Sequence, residues 1–447
     1  MAGTNISRAN GSGSATNKFT LSMWVKRGQT DQGRMFSATG GSGDVYFRFN
    51  SGGYIEWSGH GSNASSAGYF ITNRKFRDYA AWYHFVIRFD STQASASNRL
   101  RFYVNGTQEE SFSSYTDVNQ NATDNISLSS NTHYWGGTVS SQYFDGMMTH
   151  MHYSNGYSYG PDTFGETDTT SGTWKPKLTP SVTYGSQGYF LKFENSGAMG
   201  TDSSGNSNTF TVANGTLTQS IDTPSNNFCI LSPVNYSTNQ MTLSNCNTTG
   251  TAAGADWENG AGSLGISAGK FYWEYKVVTY TSSDGIQNYG IANVENRYLN
   301  DDSSPQEFNT SSTGSTGNYG YATDGRLLVD GSTTSSWGAT FGAGDIIGVA
   351  LDMDNQKLYF SKNGTFQNSG VPTSGSTGTG AISVVAGNTY VPCMAFYGSQ
   401  AANCNFGEGF FGTTAVTSAG ANASGNGVFE YDVPTGYTAL STKGLNS

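Results

Sequence analysis

Apolar and polar residues alternate along much of the chain, and this period of two predicts strands with one buried face. Two stretches share one pattern. Residues 82–107 contain WYHFVIRFD and LRFYVNGT, and residues 345–365 contain DIIGVALDMDNQ and KLYFSKNGT. Each has a strand ending in Asp, a turn, a second strand and an Asn-Gly turn, whose positive φ angles suit a tight hairpin. The sequence therefore predicts two β-sandwiches built on a common plan.

The other predicted strands fall into two groups, separated by a stretch rich in Gly, Ser, Asn and Thr at about 196–227. We expect one sandwich over residues 1–222 and a second over 223–447. No window carries apolar residues at helical spacing with good helix formers between them. The predicted fold class is all-β, with two tandem β-sandwich (jelly-roll) domains.

Composition narrows the range of partners. The 447 residues suffice for two domains, 12% of them are charged, and the net charge is −10. Without a cluster of Lys and Arg, such a chain repels a phosphate backbone, so we expect no nucleic-acid binding. No apolar run approaches the roughly 20 residues that cross a bilayer, and the N-terminal residues have no apolar core. We therefore expect synthesis in the cytosol with no signal peptide and no membrane insertion.

The four cysteines, at 229, 246, 393 and 404, are too few and too irregularly spaced for a disulfide scaffold or a zinc site. We expect free, buried thiols. The alternative is a disulfide between Cys393 and Cys404 across a predicted hairpin.

The first half of the chain resembles a known family. FTLSMWVKR near the start, WYHFVIRFD, LRFYVNGT, FDGMMTHMHYSNG, FGETDTTSGTWKPK and the closing FLKFEN and DSSGNSNTFTV follow one another in order. This set is similar to the laminin-G-like, concanavalin-A-like jelly rolls of tailed-phage virion proteins. The resemblance covers most of residues 6–212.

The second half resembles a SPRY domain, another two-sheet sandwich. The matching pieces are GKFYWEYKV, YGIANV, GDIIGVALDMDNQKLYFSKNG, YVPCMAF and NFGE, and VPTGYTALSTKGL resembles the closing phrase of such modules in phage fibre-like proteins. Together the two resemblances imply a virion protein with other virion proteins as partners. By analogy with phage fibres, they also imply a homotrimer.

Catalysis by paired carboxylates is not expected. The concanavalin-A-like architecture also occurs in glucanases, which need two carboxylates about 5–5.5 Å or 6.5–9.5 Å apart. The glucanase pattern Glu-x-Asp-x-x-Glu is absent from the sequence, and Asp352 and Asp354 lie at a hairpin end where they favour a turn. We predict that the protein is not an enzyme.

Two metal sites are conceivable from the sequence, one formed by histidines and one by loop oxygens, although we predict no bound cofactor. His150 and His152 are two residues apart on a predicted edge strand, so both imidazoles would share one face and three chains would supply six nitrogens. The simpler interpretation places them on a solvated face. Calcium held by loop oxygens such as those of Asp145 or Asp90 is the second candidate, although no DxDxDG-type loop occurs.

Carbohydrate binding is suggested by aromatic residues among polar, glycine-bearing segments, since sugars stack on exposed rings while amides bind their hydroxyls. Any one of these rings could equally serve to cover the end of a strand. The candidate residues are Tyr54, Trp57, Tyr134, Trp135, Tyr157, Tyr159, Tyr298 and Trp337.

The two resemblances imply a non-enzymatic surface protein of a phage particle, as tail fibre, capsid fibre or decoration. Its expected role is adhesion to host surface glycans or assembly contacts within the virion. One alternative is a purely structural virion protein without a host ligand. The other is a depolymerase that acts on surface polysaccharide.

Overall fold

The computed structural model describes residues 3–11, 16–28, 33–40, 44–59, 68–233, 241–254, 257–281, 285–295, 317–330 and 332–447. The chain divides into two compact units, Met1–Gln219 and Ser220–Ser447. The predicted boundary after residue 222 lies three residues beyond this division. Both units are built almost wholly of strands, which confirms the prediction of tandem β-sandwiches.

The strands of the N-terminal unit are β1 (Asn5–Ala9), β2 (Lys18–Arg27), β3 (Arg34–Thr39), β4 (Val45–Phe49), β5 (Tyr54–Ser58), β6 (Tyr69–Lys75), β7 (Tyr83–Asp90), β8 (Leu100–Val104), β9 (Thr107–Glu109), β10 (Phe112–Thr116), β11 (Thr132–Trp135), β12 (Gly146–Asn155), β13 (Gly165–Thr167), β14 (Trp174–Pro176), β15 (Tyr189–Leu191) and β16 (Thr211–Asn214). Short 3-10 turns cover Ala96–Asn98 and Pro161–Thr163.

Two antiparallel sheets form this unit. Within the described residues, one sheet has eight strands in the order β10-β6-β5-β4-β3-β11-β1-β16, and the other has six in the order β15-β12-β2-β7-β8-β9. A separate β13-β14 hairpin lies after them in the chain. Alternate side chains of β2 and β7 enter the core, where rings from the two sheets meet. Phe47 packs edge to face with Phe102 at 5.8 Å, and Phe19 lies 6.0 Å from Trp57.

The strands of the C-terminal unit are β17 (Thr242–Ser244), β18 (Thr249–Ala252), β19 (Trp257–Ala261), β20 (Lys270–Thr279), β21 (Gln287–Asn293), β22 (Asn318–Ala322), β23 (Leu327–Val329), β24 (Ser332–Thr334), β25 (Ile346–Asp352), β26 (Lys357–Lys362), β27 (Thr365–Phe366), β28 (Ile382–Ser383), β29 (Tyr390–Tyr397), β30 (Gln400–Asn405), β31 (Phe410–Phe411), β32 (Thr414–Ala415) and β33 (Thr438–Ala439). Short 3-10 turns cover Gln367–Ser369 and Pro372–Thr377, and one short helix, α1 (Thr442–Leu445), follows the strands.

This unit is a second sandwich. Over the part of the chain that is described, its larger sheet has nine strands: β17-β18-β30-β20-β25-β26-β27, with β28 beside β26 and β33 parallel to β20. The facing sheet, counted over the same residues, has six in the order β19-β29-β21-β22-β23-β24. All four cysteines are free and buried. The alternative of a Cys393–Cys404 bond across a hairpin is wrong, because β29 and β30 belong to different sheets.

No helix among the described residues has the length and apolar character that a bilayer-spanning helix needs.

The two hairpins predicted from the repeated sequence pattern are confirmed, and they share their closing contacts. In the first, β7 pairs with β8, and in the second β25 pairs with β26. Asn105 and Asn363 have φ angles of 49° and 48°, and each is followed by a glycine with positive φ. The side-chain oxygen of Asn105 accepts the N–H of His84 at 2.7 Å, and that of Asn363 accepts the N–H of Ile346 at 2.8 Å.

The other end of each hairpin is fixed by an aspartate. Asp90 accepts hydrogen bonds from Thr92 and Gln93 in its turn and pairs with Lys18 at 3.5 Å. Asp352 likewise accepts from both nitrogens of Asn355 and pairs with Lys270 at 2.9 Å. Each lysine is the first residue of the central strand next to the hairpin and lies opposite the aspartate in register. The same pair of polar anchors therefore sets the strand register in both units.

A buried carboxylate joins the C-terminal unit's larger sheet to a later segment. Glu274 on β20 is fully buried and accepts the backbone N–H groups of Glu430 and Tyr431, both at 2.9 Å. The hydroxyl of Tyr272 and the amide of Asn405 also donate to it. Burial raises the pKa of Glu274 to about 7, although these hydrogen bonds oppose the shift.

Asn363→Ala should destabilise the protein more than Asn363→Gly. Alanine loses the side-chain acceptor and also carries a Cβ at positive φ, which together cost about 2 kcal/mol. Glycine loses the acceptor but accepts the φ angle. Urea titration of the full-length variants, monitored by hydrogen exchange of peptides from β25, measures the difference in the free energy of unfolding. Equal losses would show that backbone strain at this turn is unimportant.

Glu274→Gln should change how the stability of the C-terminal unit depends on pH. The folded-state pKa of about 7 exceeds the ordinary 4.5, so the folded state binds the proton more tightly. The stabilisation that this proton gives the folded state is full below pH 4.5. It is lost as pH rises toward 7, and the free energy of unfolding then falls by about 1.4 kcal/mol per pH unit. The variant should lack that slope. Hydrogen exchange of β20 peptides in urea, at several pH values, tests this, and parallel pH profiles would contradict it.

Candidate ligand-binding face of the N-terminal unit

The outer face of the six-stranded sheet is partly covered by residues 157–188, which we call the cover segment. Its rings pack on the side chains that β2, β7 and β12 turn away from the core. Phe164 packs with Val86 and Tyr103, and its ring lies 4.9 Å from that of His152 between centroids. The cover segment thus converts an outer sheet face into a second, smaller buried layer.

A buried histidine anchors the cover segment to the sheet. The indole N–H of Trp174 donates to Nδ1 of His84 at 3.0 Å, so the proton of His84 lies on Nε2, which is 2.9 Å from Oγ of Ser22. Burial lowers the pKa of His84 to about 3, with a smaller contribution from His150. Protonating Nδ1 would set two N–H donors against each other, so this contact requires the neutral ring.

His150 and His152 do not form the pair that the sequence predicted. A bulge between Thr149 and His152 breaks the alternation, and His150 lies at a φ of 46°. The strand is also internal, since β12 lies between β15 and β2. His152 is buried, its Nδ1 lies 2.9 Å from the hydroxyl of Tyr184, and burial holds its pKa well below the ordinary value. The predicted edge strand with a solvated face is therefore wrong.

The calcium candidates have other contacts. Both oxygens of Asp90 are used in the hairpin anchor, and the carbonyl of Asp145 accepts the N–H of Gly28 at 2.7 Å. Over the residues that the structure describes, no group of three or more His, Cys, Asp or Glu could hold a metal ion. Calcium binding stays a prediction.

Two of the predicted sugar-stacking residues lie together on the open part of this face. The rings of Tyr157 and Tyr159 are 6.3 Å apart and 17° from parallel, and Tyr157 is 43% exposed. Thr20 on β2 fixes their backbone: its hydroxyl donates to the carbonyl of Tyr157 at 3.1 Å and accepts the N–H of Tyr159 at 2.8 Å. Nε of Arg88 donates to the intervening Ser158 at 2.8 Å. These contacts present Tyr157 as a held, exposed ring.

Other predicted residues are placed differently. Trp57 and Trp135 lie in β5 and β11 with almost no exposure, so the expectation that they line a binding loop is wrong. Both are core residues, because their strand positions face the opposite sheet, and the indole of Trp135 donates to Tyr189. Tyr54 and Tyr134 occupy the same two strands and are half-buried, with the ammonium of Lys75 over the ring of Tyr54.

The two candidates in the C-terminal unit give no exposed platform among the described residues. Trp337 is half-buried and packs edge to face on Tyr321 at 5.4 Å and on Phe360 at 6.0 Å, so it closes the edge of the core. Tyr298 lies outside the described residues.

A carboxylate pair in the cover segment has a structural role. Glu166 and Asp168 both face the ammonium of Lys175, at 4.0 and 2.7 Å. Asp168 also accepts the N–H groups of Thr170 and Ser171. The hydrogen bond from Lys175, followed by those backbone bonds, holds the pKa of Asp168 below its ordinary value. A glycosidase needs one carboxyl group with a raised pKa, whereas the pKa of Asp168 is lowered.

Sequence reasoning missed the residues that hold the platform. Thr20, Ser158 and Arg88 come from three separate parts of the chain, and each is an ordinary residue for a strand or loop. The alternation of β2 and β7 does place Thr20 and Arg88 on the outer face. That was the available signal, but it does not show which part of this face the cover segment leaves open.

Acid should destabilise the N-terminal unit. The folded-state pKa values of His84 and His133 are about 3 and about 4, well below the ordinary 6.5, because both rings are buried. Their stabilising effect is present above pH 6.5 and is lost as pH falls toward 4, with a slope of about 1.4 kcal/mol per pH unit for each ring. The urea concentration at which β7 unfolds should fall over this pH range, as monitored in the full-length protein by hydrogen exchange of peptides from that strand.

His84→Gln is the matched control for this prediction. The glutamine amide accepts from Trp174 and donates to Ser22 without binding a proton. The dependence of the unfolding free energy on pH should therefore lose the part that one histidine contributes. An unchanged slope would contradict the role of His84.

Comparison with known proteins agrees with this architecture. The family model described as the concanavalin A-like lectin/glucanases superfamily matches residues 2–157, and the SPRY domain model matches residues 270–409. Apart from Tyr157, the cover segment follows the first matched span. No curated protein matches the chain.

Several solved structures are similar to parts of the chain. The SPRY domain of human HERC1 is 19% identical, covers 35% of this chain and 87% of its own, and has a TM-score of 0.27. A human SPRY domain is 15% identical, covers 35% of this chain and 90% of its own, and has a TM-score of 0.26. A native heptameric SAP-like pentraxin from Limulus polyphemus is 16% identical and covers 35% and 72%, with a TM-score of 0.26.

The two family matches follow the same order as the two sandwiches and lie one in each unit. The chain therefore carries a concanavalin A-like domain of the laminin G type followed by a SPRY domain, a combination that indicates a binding or adhesion module.

Proposed function

We propose that this chain is a non-enzymatic adhesion protein that binds surface glycans through the open face of its N-terminal unit. The observation that carries the proposal is the exposed ring of Tyr157, stacked with Tyr159 and held by Thr20. A fixed aromatic ring loses little conformational freedom on binding, which makes it suited to stacking on the apolar face of a sugar.

The surroundings of the ring suit a hydroxylated ligand. Ser158 and Arg88 lie beside Tyr157, and they supply a hydroxyl and a guanidinium to bind sugar hydroxyls. The low charge of the chain, 12% Asp, Glu, Lys and Arg, agrees with recognition through hydrogen bonds and ordered water.

The setting that we propose is the outside of a phage particle, as tail fibre, capsid fibre or decoration. This part of the proposal rests on the resemblance of both halves of the sequence to phage virion proteins. Display of many copies would turn a weak contact with each glycan into firm attachment. Labelling of intact particles with an antibody against the chain tests the setting.

The non-enzymatic part of the proposal is supported by the carboxylates. Asp168 and Glu166 share Lys175, and Glu274, whose pKa is raised, lies fully buried beneath the backbone of residues 430 and 431. In both arrangements the carboxylates are bound by groups of the protein itself, and neither forms the facing acid and base that hydrolysis requires. Release of reducing ends from a bound polysaccharide would contradict it.

Tyr157→Ala should reduce glycan affinity at least tenfold, about 1.4 kcal/mol, because the stacking ring is lost. A glycan array with the full-length protein identifies ligands, and titration of the best ligand measures the ratio. Tyr397→Ala is the matched control, since Tyr397 is a tyrosine of similar exposure (38%) in the C-terminal unit. A protein that binds no glycan, or a Tyr157→Ala variant with unchanged affinity, would favour an assembly role instead.

A further inference from the structure

Two arginines lie opposite each other on the same outer face, next to the tyrosine platform. Arg88 on β7 is the register partner of Thr20 on β2 and of Arg101 on β8, so the three side chains form a row across the sheet. Directly opposed side chains on neighbouring strands have Cβ atoms about 4.5–5.5 Å apart, and like charges in that position are destabilising. The pairing therefore costs stability in the free protein.

Neither arginine of this row forms an ion pair with a carboxylate within the described part of the chain. Arg88 uses Nε to bind Ser158, and its two terminal nitrogens have no protein acceptor among the described residues. Arg101 uses one terminal nitrogen to bind Asn98, and its Nε meets no acceptor in the same part of the chain. The neighbouring carboxylate on β7, Asp90, is bound by Lys18, Thr92 and Gln93.

Carboxylates outnumber cations in this chain, whose net charge is −10. Two other arginines of the same unit have carboxylate partners. Arg34 forms two hydrogen bonds with Asp44 at 2.6 Å, and Arg48 binds Glu56 at 2.9 Å. An opposed pair that lacks a carboxylate can bind an external anion, because a guanidinium forms its strongest hydrogen bonds with anionic oxygens.

We propose that Arg88 and Arg101 form an anion subsite beside Tyr157, which selects glycans that carry a carboxylate or a sulfate group. The sugar ring stacks on Tyr157 while its anionic group binds the free guanidinium nitrogens. This inference rests on the proposed function, because it names the class of glycan that the platform takes. The shared chemistry is an anionic oxygen group on a sugar.

The test compares ligands that differ in charge alone. Oligogalacturonate and its methyl ester supply the carboxylate arm, and a sulfated galactan and its desulfated form supply the sulfate arm. At low salt the full-length protein should bind at least one of the charged ligands about tenfold more tightly than its uncharged form. The preference should shrink at 0.5 M salt, about where screening becomes strong.

The variant R101Q should lose most of the preference for charged glycans and keep its affinity for uncharged ones, because Arg101, unlike Arg88, does not hold the loop that carries Tyr157. Its unfolding midpoint in urea should stay the same or rise, because the repulsion between the two guanidinium groups is removed. The matched control is R74Q, which removes one exposed cation at a site where Arg74 packs on Phe76. It should keep the preference.

The outcomes separate this inference from the proposed function. If charged and uncharged glycans bind equally and Tyr157→Ala abolishes both, the anion subsite is wrong and glycan adhesion stands. If R101Q keeps the charge preference, or unfolds more easily because Arg101 serves only packing, the subsite is also wrong. If no glycan of either kind binds, both proposals fail.

Discussion

Strand register at the central hairpin is the constraint on which each unit depends. A slip of one residue would turn the core side chains of β7 or β25 to the opposite face of the sheet. Two polar anchors oppose that slip. At one end of the hairpin, the side chain of an asparagine with positive φ accepts a backbone N–H of the first strand. At the other end, an aspartate accepts hydrogen bonds from its turn and pairs with a lysine. The anchors recur in both units, although the loops between the paired strands differ in length.

The proposed function of the N-terminal unit depends on how its outer sheet face is divided. The cover segment buries His84 and His152 beneath aromatic rings, while the ring of Tyr157 at its start is exposed beside Arg88. The buried rings must stay neutral, so the cover depends on their lowered pKa values. The C-terminal unit buries Glu274 instead, whose raised pKa gives stability the opposite dependence on pH. The two sandwiches thus share their hairpin geometry but differ in the electrostatics of their outer faces.

The sequence predicted well those features that depend on local chemistry. Asn-Gly turns, terminal aspartates and alternating apolar residues marked both hairpins, because backbone conformation and burial act over a few residues. The exposed position of Tyr157 in a loop agrees with that local reasoning. Trp57 was assigned to a binding loop although its alternation with Ile55 already indicated a core-facing strand position.

Features that depend on distant contacts were not predictable. The bulge at His150 reverses the alternation of β12 without any glycine or proline to mark it. The bond between Trp174 and His84 joins residues 90 positions apart, and the opposition of Arg88 and Arg101 requires the register of β7 and β8. Each depends on which strands pair and where the cover segment lies, which no single stretch of sequence encodes.

The central claim is that ligand recognition takes place on the open outer face of the N-terminal unit. A crystal structure of the full-length protein with its tightest-binding glycan tests it most directly. The account predicts electron density for a sugar ring stacked on Tyr157, within hydrogen-bonding distance of Arg88. A glycan bound only to the C-terminal unit, with the face around Tyr157 empty, would contradict it.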